Sequence, residues 1–470
     1  MLFNSFDFAI FLPVVFAVYW FVLGRNHKAQ NIWLLLSSYF FYGWWDPRFL
    51  VLIVFSSAID YWVGSRLAQE ESSTRRKRWL WLSVGINLSI LGLFKYYNFF
   101  VDNFRTAFSL MGESITESWS LHLILPIGIS FYTFQSLSYT IDIYRKKQKP
   151  TKDPIAFFAF VAFFPQLVMG PIERASNMLP QFEHPRKFDA DEAMLGVRQF
   201  IWGLFKKVVI ADGCAQYVNA IFDQHESLSG LTLFIGLVYF AMQVYADFSG
   251  YSDMAIGIAR LFRFKLMTNF SRPYFSRSIG EFWRLWHISL MQWFRDYVYI
   301  PLGGNRKGRS RQLVNVLLVF ALSGLWHGAA WTFILFGVYH GVLYCIEAIF
   351  NLKPQKSKVR WKDLPAMLIT FGLVLVGFIL FRAPDLEVAW NYFTGLFHIG
   401  FGIELLNIGR YSVELIPLMG LFMAFEWFTR KQTFPLESPK WQWLKIAVLV
   451  GCIVFLGSYS DMQDFIYFKF

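Results

Sequence analysis

Long apolar runs separated by short polar segments dominate the chain. The clearest cover residues 8–24, 30–45, 48–64, 79–100, 120–141, 230–250, 329–350, 364–382, 411–428 and 443–460. Each approaches the roughly 20 residues an α-helix needs to cross a bilayer core of about 30 Å. Less regular runs occupy 155–172, 195–222, 250–300 and 312–326. Together they predict an all-α polytopic membrane protein with about eleven or twelve crossings, plus re-entrant or interfacial helices in the middle of the chain. No internal repeat or low-complexity linker breaks the pattern, so residues 1–470 read as a single membrane domain. The first run, Phe8 to Leu23, has no basic stretch before it and no small-residue cleavage site after it, which predicts a retained helix.

The polar segments supply a direction. Arg25 with Lys28, Arg66 with the run Arg75 to Arg78, and the stretch Arg145 to Lys152 fall on one side if the early spans alternate. The stretches Lys353 to Lys362 and Arg430 to Lys440 fit the same side, while 101–119, 223–229 and 383–410 are poor in Lys and Arg. The excess of basic residues marks the cytoplasmic side and predicts an N-terminus on the outer one.

Composition agrees with the pattern and narrows it. Hydrophobic residues make up 56% and charged ones 16%, against about 25% charge in a soluble domain. A disordered chain, a disulfide scaffold and a soluble enzyme are excluded. The net charge of +12 sits mainly in short loops, where membrane anchoring accounts for it without a nucleic acid. Cys214, Cys345 and Cys452 are scattered and form neither a metal spacing nor a disulfide framework.

Residues 244–311 differ from a lipid-facing span. Asp247, Asp253, Arg260, Glu281, Arg284, His287, Arg295 and Asp296 alternate there with aromatic residues. Charges at membrane depth cost on the order of 3 kcal/mol each on insertion scales and persist by pairing or by lining a cavity. The segment is expected to fold against protein or along a water-filled path, or to lie as an interfacial helix among headgroups.

Two histidines stand out. His287 follows Trp286 in a stretch whose helical reading puts it on one face with Trp283, at i,i+4, with Arg284 close by. His327 lies between Trp326 and Gly328, with Ser323, Gly324, Ala329 and Ala330 around it, small residues that let a substrate or a neighbouring helix approach closely. Either a packing role or a catalytic one is open to both. His340 lies thirteen residues beyond His327, about 20 Å away along a continuous helix, and reads as structural. The turn Gly303-Gly304-Asn305, beside Arg306, Lys307, Arg309 and Arg311, reads either as an anion cradle or as a tight turn with basic anchors. No nucleotide-binding, zinc-protease or serine-hydrolase motif is present in the sequence.

At these residues the chain resembles the membrane-bound O-acyltransferase (MBOAT) family, in its bacterial alginate O-acetyltransferase branch. The resemblance rests on SSYFFYGWW at 37–45, LPIGISFYTFQSLSYTIDIYR at 125–145, FFPQLVMGPIERA at 163–175 and QVYADFSGYSDMAIGIARLF at 243–262. It continues through NFSRPYFSRSIGEFWRLWHISL at 269–290, FRDYVYIPLGGNR at 294–306 and SGLWHGAAWTFILFGVYHG at 323–341. One departure is Leu285, where this branch often carries a second Arg. The resemblance implies a ring of tilted helices around a central cavity reached from both faces. It implies that His327 is the signature histidine and His287 the second functional one, with Trp326 beside them.

The implied donor is acetyl-CoA or another cytoplasmic acetyl thioester, with no tightly bound cofactor and no metal. Arg295, Arg306 and Lys307 become candidate phosphate contacts, and Asp247 and Arg284 supporting residues. His327 would act as general base, a role that needs a pKa near the working pH. His287 would orient the thioester or stabilise the oxyanion. The implied partners are membrane lipid, a polysaccharide acceptor such as alginate or peptidoglycan, and a periplasmic SGNH-type esterase-like protein, with the enzyme in the bacterial inner membrane. The tail Asp464 to Phe470 is similar to an aromatic motif with a central tyrosine, which makes Tyr467 a candidate covalent acyl carrier; an interfacial aromatic anchor is the other reading. Two further function classes stay open: a transporter of an acyl or glycan species, and a non-catalytic scaffold in polysaccharide export.

Overall fold

The computed structural model describes residues 1–111, 119–121, 123–352, 359–398, 400, 415–459 and 465. All regular structure among them is helical. Among the described residues, five helical stretches are long and apolar enough to cross a membrane: Pro47–Gln69, Ser73–Leu110, Gly230–Leu261, Trp331–Ile349 and Trp361–Arg382. Three shorter apolar helices are Phe6–Val22, Leu415–Phe428 and Gln442–Leu456. The chain forms two compact units, one of residues 1–193 with 259–266 and one of 194–258 with 267–470.

The first unit holds α1 (Phe6–Ala17), α2 (His27–Gly43), α3 (Leu50–Gln69), α4 (Ser73–Leu91), α5 (Tyr97–Leu110), α6 (Ile129–Tyr144), α7 (Pro154–Ala162), α8 (Phe164–Leu167) and α9 (Ala175–Glu183). Polar side chains set several starts by accepting the first orphan amides: Ser5 for α1, Asn26 for α2 and Asp153 for α7. The apolar run at 120–141 becomes helix only from Ile129. Gly128 has φ +78°, and a Cβ there would come within 2.6 Å of the Leu167 carbonyl oxygen. The backbone therefore turns at Gly128 in a way L side chains resist.

Helix α6 is buried along nearly all its length, although it carries Ser130, Thr133, Gln135, Ser136, Ser138 and Thr140. Part of that polarity converges on Asp60 of α3, which is fully buried. Its carboxylate accepts from Ser83 and Asn87 of α4 and from Thr140 of α6. Three helices are thus joined through one carboxylate. Arg76 is another join. Sequence pattern places it among loop anchors, yet it is buried and donates to the carbonyl oxygens of Leu67, Glu70, Ile143 and Tyr144. It caps the C-terminal ends of α3 and α6 together.

The second unit holds most of α10 (Ala190–Phe205), α11 (Asp212–Asp223), most of α12 (Gly230–Leu261), α13 (Ile279–Leu285), α14 (Ile288–Phe294), α15 (Arg309–His327), α16 (Trp331–Ile349), α17 (Leu364–Arg382), α18 (Leu386–Gly395), α19 (Leu415–Phe428) and α20 (Gln442–Leu456). Between α10 and α11 the chain forms a π-helix, Lys206–Ala211, with all six residues buried. Helix α12 runs unbroken through Asp247 and Asp253, and 78% of its most apolar window is buried in protein. That enclosure is how a helix carrying two carboxylates sits among apolar spans.

Helices α15 and α16 form a tight hairpin. A Cβ at Gly324 would reach 2.1 Å from the Phe333 carbonyl oxygen, and one at Gly337 would reach 2.1 Å from that of Phe320. Two backbones meet where side chains are missing, as small residues allow between membrane helices. The room beside His327 is therefore taken up by the neighbouring helix. The reversal also replaces the continuous helix assumed between His327 and His340.

Candidate active site

The loop from α12 to α13, the α13–α14 break and the end of α15 bring two imidazoles together. Helix α13 starts at Ser278, whose hydroxyl accepts from Glu281 N–H, and Glu347 of α16 accepts the amides of Ile279 and Gly280. The helix stops at Leu285, and His287 takes φ +43° and ψ +52° before α14 begins. This left-handed conformation in a residue with a Cβ costs about 1–3 kcal/mol and has to be held by its surroundings. The break corrects the helical reading of 283–287. Trp283 packs instead on Phe320, Phe336 and His340. Arg284 is exposed.

His287 is completely buried and His327 is 3% exposed. Their ring centroids lie 6.4 Å apart. Phe248 meets the His287 ring edge-on at 4.7 Å, Phe270 stacks at 6.3 Å, and Trp326 closes another side at 5.8 Å. His327 ends α15 and contacts Phe381 at 5.4 Å and Phe336 at 6.3 Å. Two imidazoles at this spacing, walled by aromatic rings, can approach one small reacting group from two sides in a water-poor setting.

The same unit also buries paired charges. Asp247, expected to serve an imidazole or an arginine, pairs with Lys207 at 3.0 Å, and Lys207 also reaches Asp212 at 2.8 Å. Lys206 pairs with Asp253 at 2.6 Å and donates to the Ser249 hydroxyl at 2.9 Å. The π-helix thus aims two consecutive lysines into protein, a geometry recurrent at functional sites. Beside Lys206, a polar cavity of about 20 Å³ is bordered by Asp253, Asn269, Arg272 and Glu426. It is large enough for a water molecule.

The remaining candidates lie elsewhere or outside the described residues. Arg295 is exposed and pairs with Asp296 at 2.8 Å. Arg306 and Lys307 are exposed on a turn in which Gly303 and Gly304 have positive φ. His340 is buried in α16 among Phe282, Trp283, Phe336 and Tyr339. Tyr467 lies outside the described residues. Phe465, two positions before it, is 1% exposed and packs on Phe248 at 5.8 Å and Tyr251 at 5.6 Å. Sequence reading missed Lys206, Lys207 and Asn269; the two lysines were visible as adjacent charges within the apolar run 195–222.

Comparison with known proteins assigns the lineage. The family model "membrane-bound O-acyltransferase family" matches residues 145–362, a span containing both His287 and His327. The chain is 40% identical to the probable alginate O-acetylase AlgI of Pseudomonas aeruginosa, covering 93% of this chain and 84% of that protein. It is 35% identical to the peptidoglycan O-acetyltransferase of Helicobacter pylori, covering 100% of this chain and 98% of that protein. The chain belongs to the membrane-bound O-acyltransferase family. A teichoic acid D-alanyltransferase of Bacillus subtilis is 31% identical over 55% of this chain and 69% of its own length. This MBOAT protein is accordingly a multi-pass membrane O-acyltransferase. Its paired imidazoles fall within the portion the family model describes.

Proposed function

We propose that this enzyme moves acetyl groups from a cytoplasmic thioester, acetyl-CoA or a chemical equivalent, across the bacterial inner membrane for O-acetylation of an extracytoplasmic polysaccharide. The observation that carries the proposal is the buried His287–His327 pair in a chain resembling two polysaccharide-directed O-acetyltransferases over most of its length. Acetyl is favoured over D-alanyl because those two similarities are chain-wide, whereas the alanyltransferase similarity covers about half. Alginate and peptidoglycan are the acceptor classes that the relatives' names suggest.

In this reading an acceptor hydroxyl loses its proton to an imidazole nitrogen, with His327 as the base. The alkoxide attacks the thioester carbonyl, the C–O bond forms as the C–S bond breaks, and the proton passes to the departing thiolate. Arg306, Lys307 and Arg295 meet the donor's phosphates from the exposed basic turn. The first acceptor is the Tyr467 hydroxyl, which then presents acetyl to a periplasmic SGNH-type partner. The buried contact of Phe465 with Phe248, itself against His287, supports this relay, since two residues of chain span at most about 7 Å. A tyrosine of ordinary pKa near 10 needs such a base to become nucleophilic. A transporter would accommodate the buried ion pairs but gives no role to two imidazoles beside each other.

The test gives purified enzyme in lipid vesicles radiolabelled acetyl-CoA, with and without an SGNH partner and polymer. Label should reach protein in the wild type and be absent from Tyr467→Phe, which keeps the aromatic ring. Polymer acetylation by Tyr467→Phe at the wild-type rate would refute the relay. No label transfer from any acetyl thioester would refute the acetyltransferase reading itself.

A further inference from the structure

Asn269 lies in the loop between α12 and α13 and is 1% exposed. Its backbone carbonyl accepts the Ile288 amide at 2.9 Å, and its side-chain Oδ1 accepts the Ser289 amide at 3.3 Å and the Ser289 hydroxyl at 2.8 Å. The amide donors of the two residues following His287 therefore end on one residue. This grip holds the left-handed backbone of His287 in place. The side-chain Nδ2 donates in the other direction, to the Ser252 hydroxyl of α12 at 3.2 Å.

The same Oδ1 lies 3.2 Å from His287 Nδ1. Which end of an asparagine amide is oxygen has to be settled by its partners. Here the Ser289 amide can only donate, so the atom facing it is the carbonyl oxygen. A carbonyl oxygen can only accept, so the hydrogen in the contact with His287 is carried by Nδ1. A neutral imidazole protonated at Nδ1 has a lone pair at Nε2.

We propose that Asn269 is the positioning residue of the acyl-transfer site: it fixes neutral His287 in the Nδ1–H tautomer, so that His287 enters the reaction with Nε2 as a hydrogen-bond acceptor. The consequence is specific. Stabilising an oxyanion through Nε2 requires a hydrogen there, which this tautomer lacks. Of the two parts foreseen for His287, donating to an oxyanion from the resting neutral ring does not fit this tautomer, whereas an accepting Nε2 can orient a reacting N–H or O–H group beside His327. The inference deepens the acyltransferase reading and rests on it for the reaction, but not for the tautomer.

The experiment uses full-length protein with ¹⁵N-labelled histidine in lipid bilayers, observed by solid-state NMR at pH 8. The His287 signals are assigned by their loss in His287→Gln. The wild type should show a protonated Nδ1 and an unprotonated Nε2, and Asn269→Leu should lose that signature. Asn269→Asp, which keeps an acceptor oxygen at the same place, should restore it. In parallel, Asn269→Leu should lower kcat about 10- to 100-fold, the size of loss seen when the second-nitrogen partner of a metal-bound imidazole is removed, with Asn269→Asp recovering most of it. A wild-type His287 protonated at Nε2, or an unchanged tautomer in Asn269→Leu, overturns the proposal. The NMR readout needs no turnover, so failure to use acetyl-CoA would sink the acyltransferase reading while leaving the tautomer decided. If Asn269→Leu fails to fold, the wild-type and Asn269→Asp spectra decide alone.

Discussion

His287 and His340 are both wholly buried, and they are held in opposite ways. His287 sits at a helix break with a strained backbone and a polar partner bonded to four other groups. His340 lies mid-helix among four aromatic rings, and neither of its ring nitrogens has a hydrogen-bond partner among the described residues. One surrounding specifies a tautomer; the other specifies a shape. Burial of an ionisable side chain in a membrane protein therefore says little by itself, and what decides its role is whether polar groups fix its protons. The basic residues divide similarly. Lys206 and Lys207 are enclosed and paired with carboxylates, whereas Arg306 and Lys307 are exposed on a turn.

The largest effect should come from His327→Ala, which we expect to insert normally and lose acetyl transfer by about 10²–10⁴-fold, the range of a general base. Near-normal transfer by a well-folded mutant would erase the distinction between the paired histidines and His340. Next, Lys207→Met should leave Asp212 and Asp247 without their shared cation. Breaking such a buried pair costs about 3–5 kcal/mol, so the mutant should be poorly folded by thermal denaturation in detergent. Restored stability in Lys207→Met with Asp247→Asn would show that the uncompensated charge is the cause.

The double mutant Arg306→Ala, Lys307→Ala should raise the KM for the thioester several-fold and leave kcat nearly unchanged, as when uniform binding is lost. Unchanged kinetics with altered topology would class these residues as anchors only. His340→Leu should have the smallest effect, within about twofold in activity and under about 1.5 kcal/mol in stability, as for a volume-conserving change. A large loss of kcat there would break the comparison, because a ring held only by shape would then have a chemical role.

What was legible in the sequence follows the same divide. Apolar run length identifies Pro47–Gln69 and Trp361–Arg382 as spans, because that requirement is local and set by bilayer thickness. His287 and His327 were visible as ionisable groups in apolar surroundings. The break at His287 was not, because it is held by Asn269, 18 residues earlier. The hairpin turn at Gly328–Ala330 begins in the gap between the apolar runs 312–326 and 329–350, but the close contact of α15 with α16, made at Gly324 and Gly337, is set by residues apart in the chain. Arg76 looked like one more anchor in a basic cluster, since its four carbonyl partners belong to the ends of two different helices and the stretch after one of them. Long-range polar contacts leave no period in the sequence.

The π-helix at 206–211 has a consequence for how this segment tolerates change. A turn closed by an i→i+5 bond holds one residue more than an α-helical turn. Removing one residue, Val209 for instance, would let the segment relax to the α form while the helix after it keeps nearly its angular phase, because the extra residue is what the wider turn absorbs. Asp212 would then follow Lys207 by four positions, a spacing that keeps two side chains on one helix face, so their pair would survive. The same deletion within a regular α-helix would rotate everything after it by about 100°. A one-residue deletion should therefore be milder in this stretch than in either flanking helix.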